Sequence, residues 1–261
     1  MKYLKRFATH QQYLDYIANE VNSTHFVGTC DDDHTLEDPF KSHYISNNGK
    51  LIEYIYCPEG NANWCCIDTG LMCNDDYWEF HADVEVLSWS NTGGSYPGIF
   101  GNHSGTNENT NRYRVIASQN ATNGTVLVMA NTKNQTTFTT LIPINQRKLL
   151  KLKYGSLTVI PITNGVQGTA SVKTLTSTTK GVATTETMCV NSGSIHNSRY
   201  GVAAKWWKFD AYHNNKLVLA LRPFKRYSDD RRGMIDLLTG NEFYNAAINQ
   251  AAINNEWLGS E

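Results

Sequence analysis

At 261 residues and a formal net charge of −1, the chain is long enough for one well-packed domain plus a modest extension. It offers no excess of positive charge for a nucleic acid or an anionic membrane surface, and no run of about 18 apolar residues for a membrane span. Charged residues make up only 18% of it, and its wealth of Asn, Thr, Gly and Tyr belongs to strands and turns, not helices.

The basic start, Met1 to Arg6, is followed by Thr9, His10, Gln11 and Gln12 instead of an apolar segment, so no signal peptide is read. The six cysteines are therefore expected as reduced thiols. Within residues 1–60, Thr9 and Gln12 have capping-box spacing. Tyr13, Leu14, Ile17 and Val21 then form a stripe that predicts a helix of about three turns. His25 to Thr29 reads as a strand and Cys30 to His34 as an acidic loop. Asp31, Asp32 and Asp33 lack the glycine and terminal glutamate of a calcium loop. Asn47-Asn48-Gly49-Lys50 is a hairpin turn signal ahead of Leu51 to Tyr56.

Cys57, Cys65, Cys66 and Cys73 cluster without a CxxC knuckle, which leaves buried thiols, a zinc site and disulfides as alternatives. From Trp78 the alternation is clear. Trp78, Phe80, Ala82, Val84 and Val86 point one way, and Glu79, His81, Asp83 and Glu85 the other, as a solvent-facing polar row on a sheet whose second face is core. Further strands are predicted at 96–101, 112–118, 124–130, 136–143, 147–154 and 156–162, the last two as a hairpin about Gly155. The Thr-, Ser- and Gly-rich segment 163–198 reads as edge strands and long loops.

The closing stretch runs from Trp206 to Ala247. Adjacent Trp206 and Trp207 must face opposite ways on one strand, one into the core and one outward. His213-Asn214-Asn215-Lys216 is a polar turn into the apolar run Leu217 to Leu221. Pro223 is expected to stop ladder pairing, and Thr239-Gly240-Asn241 to close a tight hairpin.

This cassette carries a resemblance. Arg222-Pro223-Phe224, Ser228-Asp229, Gly233-Met234-Ile235-Asp236, Thr239-Gly240 and Phe243-Tyr244-Asn245 resemble the closing strands of laminin-G-like, concanavalin A-like sandwich domains. Such domains occur in phage structural proteins and in surface proteins of gut bacteria. Ile235 stands where that family usually has Tyr, and Ala247 where it has Gly. Upstream, Ile67-Asp68-Thr69-Gly70 and Ile99-Phe100-Gly101 resemble the family's opening motifs, so the likeness spans residues 64–248. Phe7, Ala8, Thr9, His10, Tyr13, Tyr16 and Ile17 are similar to N-terminal segments of structural proteins in gut Bacteroidetes phages. The alternative there is a small subdomain packed against the sandwich.

The resemblance implies a mainly β protein: a concanavalin A-like jelly-roll β-sandwich over residues 61–248, a small α+β anchoring segment over 1–60, and a tail over 249–261. It implies a non-enzymatic virion protein, a head fibre, decoration or tail-associated component assembled in the bacterial cytoplasm. Its partners would be other virion proteins, host or mucosal glycan, and further copies of itself. The resemblance names no cofactor but makes calcium at a loop edge worth testing. Glycan binding in sandwiches uses loop-borne aromatics with polar neighbours, and the candidates are Trp89, Tyr96, His103, Arg112 and Tyr113. The competing reading is a laminarinase-like glycosidase on the same fold, because successive same-face residues lie roughly 6–7 Å apart, near the ~5–5.5 Å needed between the carboxyls of a retaining enzyme. Here His81-x-Asp83-x-Glu85 departs from that family's run of carboxylates.

Overall fold

The computed structural model describes residues 5–7, 28–30, 49–57, 65–89, 97–102, 109–117, 124–192, 201–246 and 256–260. Among these residues there are strands and no helix. The first strands are β1 (Lys5–Phe7), β2 (Gly28–Cys30), β3 (Gly49–Leu51), β4 (Ile55–Cys57), β5 (Ile67–Met72), β6 (Trp78–Ser88) and β7 (Gly98–Gly101). Next come β8 (Arg112–Ala117), β9 (Val126–Thr132), β10 (Thr136–Phe138), β11 (Arg147–Lys153), β12 (Ser156–Thr163), β13 (Val166–Gln167) and β14 (Ser171–Thr174). The last are β15 (Thr187–Val190), β16 (Ala203–His213), β17 (Lys216–Arg226), β18 (Arg232–Asp236), β19 (Glu242–Phe243) and β20 (Leu258–Gly259).

They form two antiparallel sheets and a separate parallel pair, β1 with β2. The larger sheet runs β13-β12-β11-β6-β16-β17-β18-β19, with β14 added on β12, β3 on β17, β4 on β16 and β20 on β4. The smaller runs β10-β9-β8-β7-β15-β5. Phe80, Ala82, Val84 and Val86 of β6 are all 0% exposed, which fixes the inward face of the larger sheet. Phe80 stacks on Phe209 of β16 at 5.9 Å and meets Phe100 and Tyr113 of the smaller sheet at 6.1 and 5.3 Å. The sheets thus face each other across an aromatic core, and each ring fully removed from water stabilises by roughly 1.5–3 kcal/mol.

Asn191, directly after β15, ties the two sheets together. It is 0% exposed and held at a positive φ of 63°, a conformation that Asn tolerates. Its Oδ1 accepts from the Trp206 indole N–H at 3.1 Å, and its Nδ2 donates to the Cys65 carbonyl at 2.8 Å. Trp206 is therefore the inward member of its pair, while Trp207 lies on the outer face against Arg147.

The family-like motifs have structural work to do. In β5, Asp68 Oδ1 accepts from Gly70 N, and Thr69 Oγ1 donates to the Met188 carbonyl at 2.7 Å. Gly70 supplies a φ of 71° beside an irregularity in the β5–β15 register. In the closing cassette Asp236 is 2% exposed. Its Oδ1 accepts from Ala220 N at 2.8 Å and Leu238 N at 3.2 Å, and its Oδ2 accepts from Thr239 Oγ1 at 2.6 Å. One carboxylate thus locks the β18–β19 hairpin to β17.

Several expectations are met and several corrected. The β11–β12 hairpin turns at Gly155, with φ 77°, and the β16–β17 hairpin turns at Asn214 and Asn215, with φ 52° and 61°. Pro223 does not end pairing. β17 runs through it, opposite Met234 of β18, because the residue needs only its carbonyl, which accepts from Ile52 N at 3.1 Å. Part of the Thr-rich stretch is not edge: β15 is inserted between β7 and β5. β3, β4 and β20 all join the larger sheet, so that sheet draws on chain from either side of the boundaries read at 60 and 249. The helix read within the first 27 residues lies outside the described residues, as does the acidic loop apart from Cys30, which ends β2.

Candidate functional site

The outer face of the larger sheet is where the polar chemistry gathers. It was expected to be a solvated row, and it is largely buried. His81 and Asp83 are 7% and 1% exposed, and Lys208 and Asp210 on the neighbouring β16 are each 4% exposed. A register shift between Trp206 and Lys208 explains the second pair. It sets Lys208 opposite Asp83 and so leaves both Trp207 and Lys208 on the outer side.

Charges this deep must be paired, and they are. Arg147 grips Asp83 with two parallel bonds, Nε to Oδ1 at 2.8 Å and Nη2 to Oδ2 at 2.6 Å. Arg222 bonds both carboxylate oxygens of Asp210, and Lys208 Nζ lies 4.0 Å from it. His81 Nε2 is 2.6 Å from Glu79 Oε1. Burial opposes ionisation of Asp210, but the neighbouring Arg222 and Lys208 outweigh it and hold the carboxyl below its usual range. The hydrogen bond from His81 lowers Glu79 in the same way. Of the carboxylates a glycosidase reading would use, Asp83 is thus engaged by Arg147 and Glu79 by His81, while Glu85 stands at the end of the row, 3.7 Å from Lys205 Nζ.

At one end of this face, the row from Arg147 to Glu85 to Lys205 to Tyr56 crosses four strands as register partners. Beside it opens a cleft of about 650 Å³. Its walls are Glu53 between β3 and β4, Glu85 of β6, the turn and first residues of β11 at 145–148, and the end of β12 with its turn at 161–165. Arg147 lines the cleft with its guanidinium fixed by Asp83 and laid 4.1 Å over the Trp207 ring. Tyr54 packs against the same ring at 5.5 Å. Lys205 Nζ lies 3.7 Å from Glu85 Oε2. Partial burial lowers the pKa of Lys148. Asn145 and Asn164 both adopt positive φ, 57° and 52°, and Asn145 N donates to the Val86 carbonyl at 2.7 Å.

Three of the five sugar-contact candidates pack inward. Trp89 is 8% exposed and belongs to the core. Arg112 is 3% exposed, its Nε donating to Thr110 Oγ1 at 3.3 Å. Tyr113 is 0% exposed, and its hydroxyl donates to the Asp75 carbonyl at 2.8 Å. Burial drives the Tyr113 pKa upward, reinforced by Asp76 and Cys73. Arg112 and Tyr113 sit on β8, where the predicted strand at 112–118 places them, but that strand is internal and buried on both faces, so neither is open to a ligand at a loop. Tyr96 and His103 lie outside the described residues. The cleft residues were missed because they come from four separate stretches of chain. The only local signal was the pair of turns at 144–145 and 164–165.

Cys57, Cys65, Cys66, Cys73 and Cys189 are buried thiols. Cys65 N donates to Cys57 Sγ at 3.2 Å. A further thiol hydrogen bond between the two lowers Cys57 and raises Cys65. Burial, with Asp68 nearby, pushes Cys66 up to about 12. Among the described residues no three His, Cys, Asp or Glu side chains converge as metal ligands. Among them, too, no helix is long and apolar enough to cross a membrane.

No protein-family model matches the chain, and no curated protein matches it in sequence. Among solved structures it is similar to tailspike protein 2 of the Escherichia coli O157:H7 bacteriophage CAB120, at 10% identity and a TM-score of 0.37, over 71% of this chain and 28% of that one. It is also similar to SCP-B, an Eqolisin-family peptidase in complex with the tripeptide Ala-Ile-His, at 12% identity and a TM-score of 0.33, over 64% of this chain and 89% of that one. The chain thus spans well under two thirds of the tailspike's length. Overlaps this loose carry no argument about function.

Proposed function

We propose that this chain is a non-enzymatic structural protein of a bacteriophage virion, a head fibre, decoration or tail-associated component, whose concanavalin A-like jelly-roll sandwich faces outward and binds host or mucosal carbohydrate. The observation that carries the reading is the closing cassette. The residues on which the family resemblance rests, from Arg222 to Tyr244, form the consecutive strands β17, β18 and β19, locked by Asp236. Their role is architectural, which supports shared architecture and leaves function to the surface. The non-enzymatic part is supported by Asp83, which is almost fully buried and held by both arms of Arg147.

Function on this reading needs no chemical step. A rigid sandwich presents fixed hydrogen-bonding groups to a sugar, and many copies on one particle turn weak single contacts into firm attachment. The stretch of chain before β3 docks the protein on neighbouring virion proteins or on copies of itself, and assembly takes place in the bacterial cytoplasm. The test is mass spectrometry and antibody labelling of purified particles from a host carrying the gene, with polysaccharide binding measured on the same particles. The chain is expected in the particle at high copy number. Its absence from particles, or β-glucan hydrolysis lost in Asp83→Asn, would favour the glycosidase instead.

A further inference from the structure

We infer that the cleft bounded by Glu53, Glu85, Gln146, Arg147, Pro161 and Asn164 is the carbohydrate site, and that its ligand is an uncharged oligosaccharide. The inference rests on the proposal that the sandwich binds carbohydrate and deepens it by placing the site and naming the sugar class. The volume, about 650 Å³, falls inside the roughly 300–1,000 Å³ of ordinary small-ligand sites.

The lining has the chemistry of hydroxyl recognition. Vicinal hydroxyls are best held by planar groups with two donors or acceptors in a fixed fork, namely carboxylates, amides and guanidinium. The cleft supplies Glu53 and Glu85, the amides of Asn145, Gln146 and Asn164, and Arg147. Pro161 and Ile162 add an apolar strip for the C–H face of a ring.

Charge selects among sugars. The lining sets two carboxylates against Arg147 and Lys148, and the Arg147 charge is already met by Asp83. A sialylated or uronic-acid sugar, or a phosphate, would find Lys148 but also the carboxylates of Glu53 and Glu85, so a lining whose charges balance gives an anion no net attraction. A cationic ligand would meet Lys148, and Lys205 beside Glu85. A neutral chain of hydroxyls incurs neither repulsion.

The groups are also held in place, which lowers the entropy lost on binding. Asp83 engages Nε and Nη2 of Arg147 while Trp207 supports its plane, so the remaining Nη1 edge has a set direction. Asn145 is anchored to β6 through its backbone N–H, and Asn164 sits with Gly165 in the β12–β13 turn.

The experiment uses the full chain on a printed array of neutral, sialylated and uronic-acid oligosaccharides, followed by calorimetry with the best binder. Glu85→Gln and Gln146→Ala keep the cleft's shape and are each expected to weaken binding at least tenfold with the melting temperature unchanged. Tyr96→Ala and His103→Ala, in the loops first singled out from the sequence, are expected to bind as wild type does. Binding that survives the cleft variants but fails in the loop variants would overturn the site while leaving carbohydrate binding intact. Selective binding of acidic sugars would overturn the ligand class. No binding of the folded wild-type chain to any sugar on the array would overturn both this inference and the carbohydrate part of the proposed function, leaving only the virion role.

Discussion

Replacing Asp236 with Ala tests whether one carboxylate holds the closing hairpin. The side chain is 2% exposed and accepts three hydrogen bonds, from Ala220 N, Leu238 N and Thr239 Oγ1. Alanine strands two backbone donors, of which Ala220 N lies inside the sheet beyond the reach of water. A buried donor without a partner costs about 1–3 kcal/mol, and the lost bonds had an ionised acceptor. Asp236→Ala should therefore cost about 3–5 kcal/mol. Asp236→Asn keeps an oxygen in the Oδ1 position and should cost about 1–2 kcal/mol, and Thr239→Val, which removes only the Oδ2 partner, about 1 kcal/mol. Urea unfolding followed by tryptophan fluorescence reads these costs as shifts of the midpoint at constant slope. The order Ala, then Asn, then Val is the signature. An alanine variant within 1 kcal/mol of wild type, or an asparagine variant as damaged as alanine, would refute the reasoning. Should the alanine variant fail to fold, the other two still test it.

Three further outcomes follow from the buried groups. The Asp210 carboxyl is held below its usual range, so its stabilising contribution is full above the unfolded value of about 4 and is lost as pH falls through the lower folded value. The stability gap between wild type and Asp210→Asn should therefore narrow below about pH 4, and a gap that stays constant down to strong acid would contradict the charge network. With its pKa pushed up to about 12, Cys66 is thiolate in only about one molecule in ten thousand at pH 8. Native iodoacetamide labelling, read by peptide mass spectrometry, should therefore be slow at Cys66 and fast once urea is added. A methyl group on Gly49 would stand 2.2 Å from Phe224 Cζ and 2.3 Å from the Lys225 carbonyl oxygen. Gly49→Ala should thus force β3 from β17 at a cost of about 1–3 kcal/mol in the urea assay, and a neutral effect would show that this edge pairing contributes nothing.

Much of the fold was legible because it is written in short-range patterns. Strict alternation marked β6, and Trp206 and Trp207 had to part because neighbouring side chains on a strand leave opposite faces. Asn214-Asn215 and Gly240 marked hairpins because each supplies a positive φ at little steric cost. The family-like Asp-Thr-Gly and Gly-Met-Ile-Asp motifs were visible too, although what Asp68 and Asp236 hold was not.

Long-range pairing decided the rest. Whether the outer row of β6 meets water depends on what lies against it, so Glu79, His81, Asp83 and Glu85 read as a solvated face from one strand alone. One extra residue in β16 turned Lys208 outward, and alternation cannot register that. The strand at 112–118 was legible, but nothing local says that β8 lies inside a sheet and beneath another, so Arg112 and Tyr113 at its start read as near a loop and open to a ligand. The cleft is the extreme case: Glu53, Glu85, Arg147 and Asn164 share no pattern and meet only where the larger sheet sets their strands and turns side by side. The sequence alone thus determined which segments are strands, where they turn and which side chains alternate, because those choices rest on the sterics of neighbouring residues. Burial, charge pairing and the site belonged to the tertiary structure, because they depend on which distant strand lies alongside.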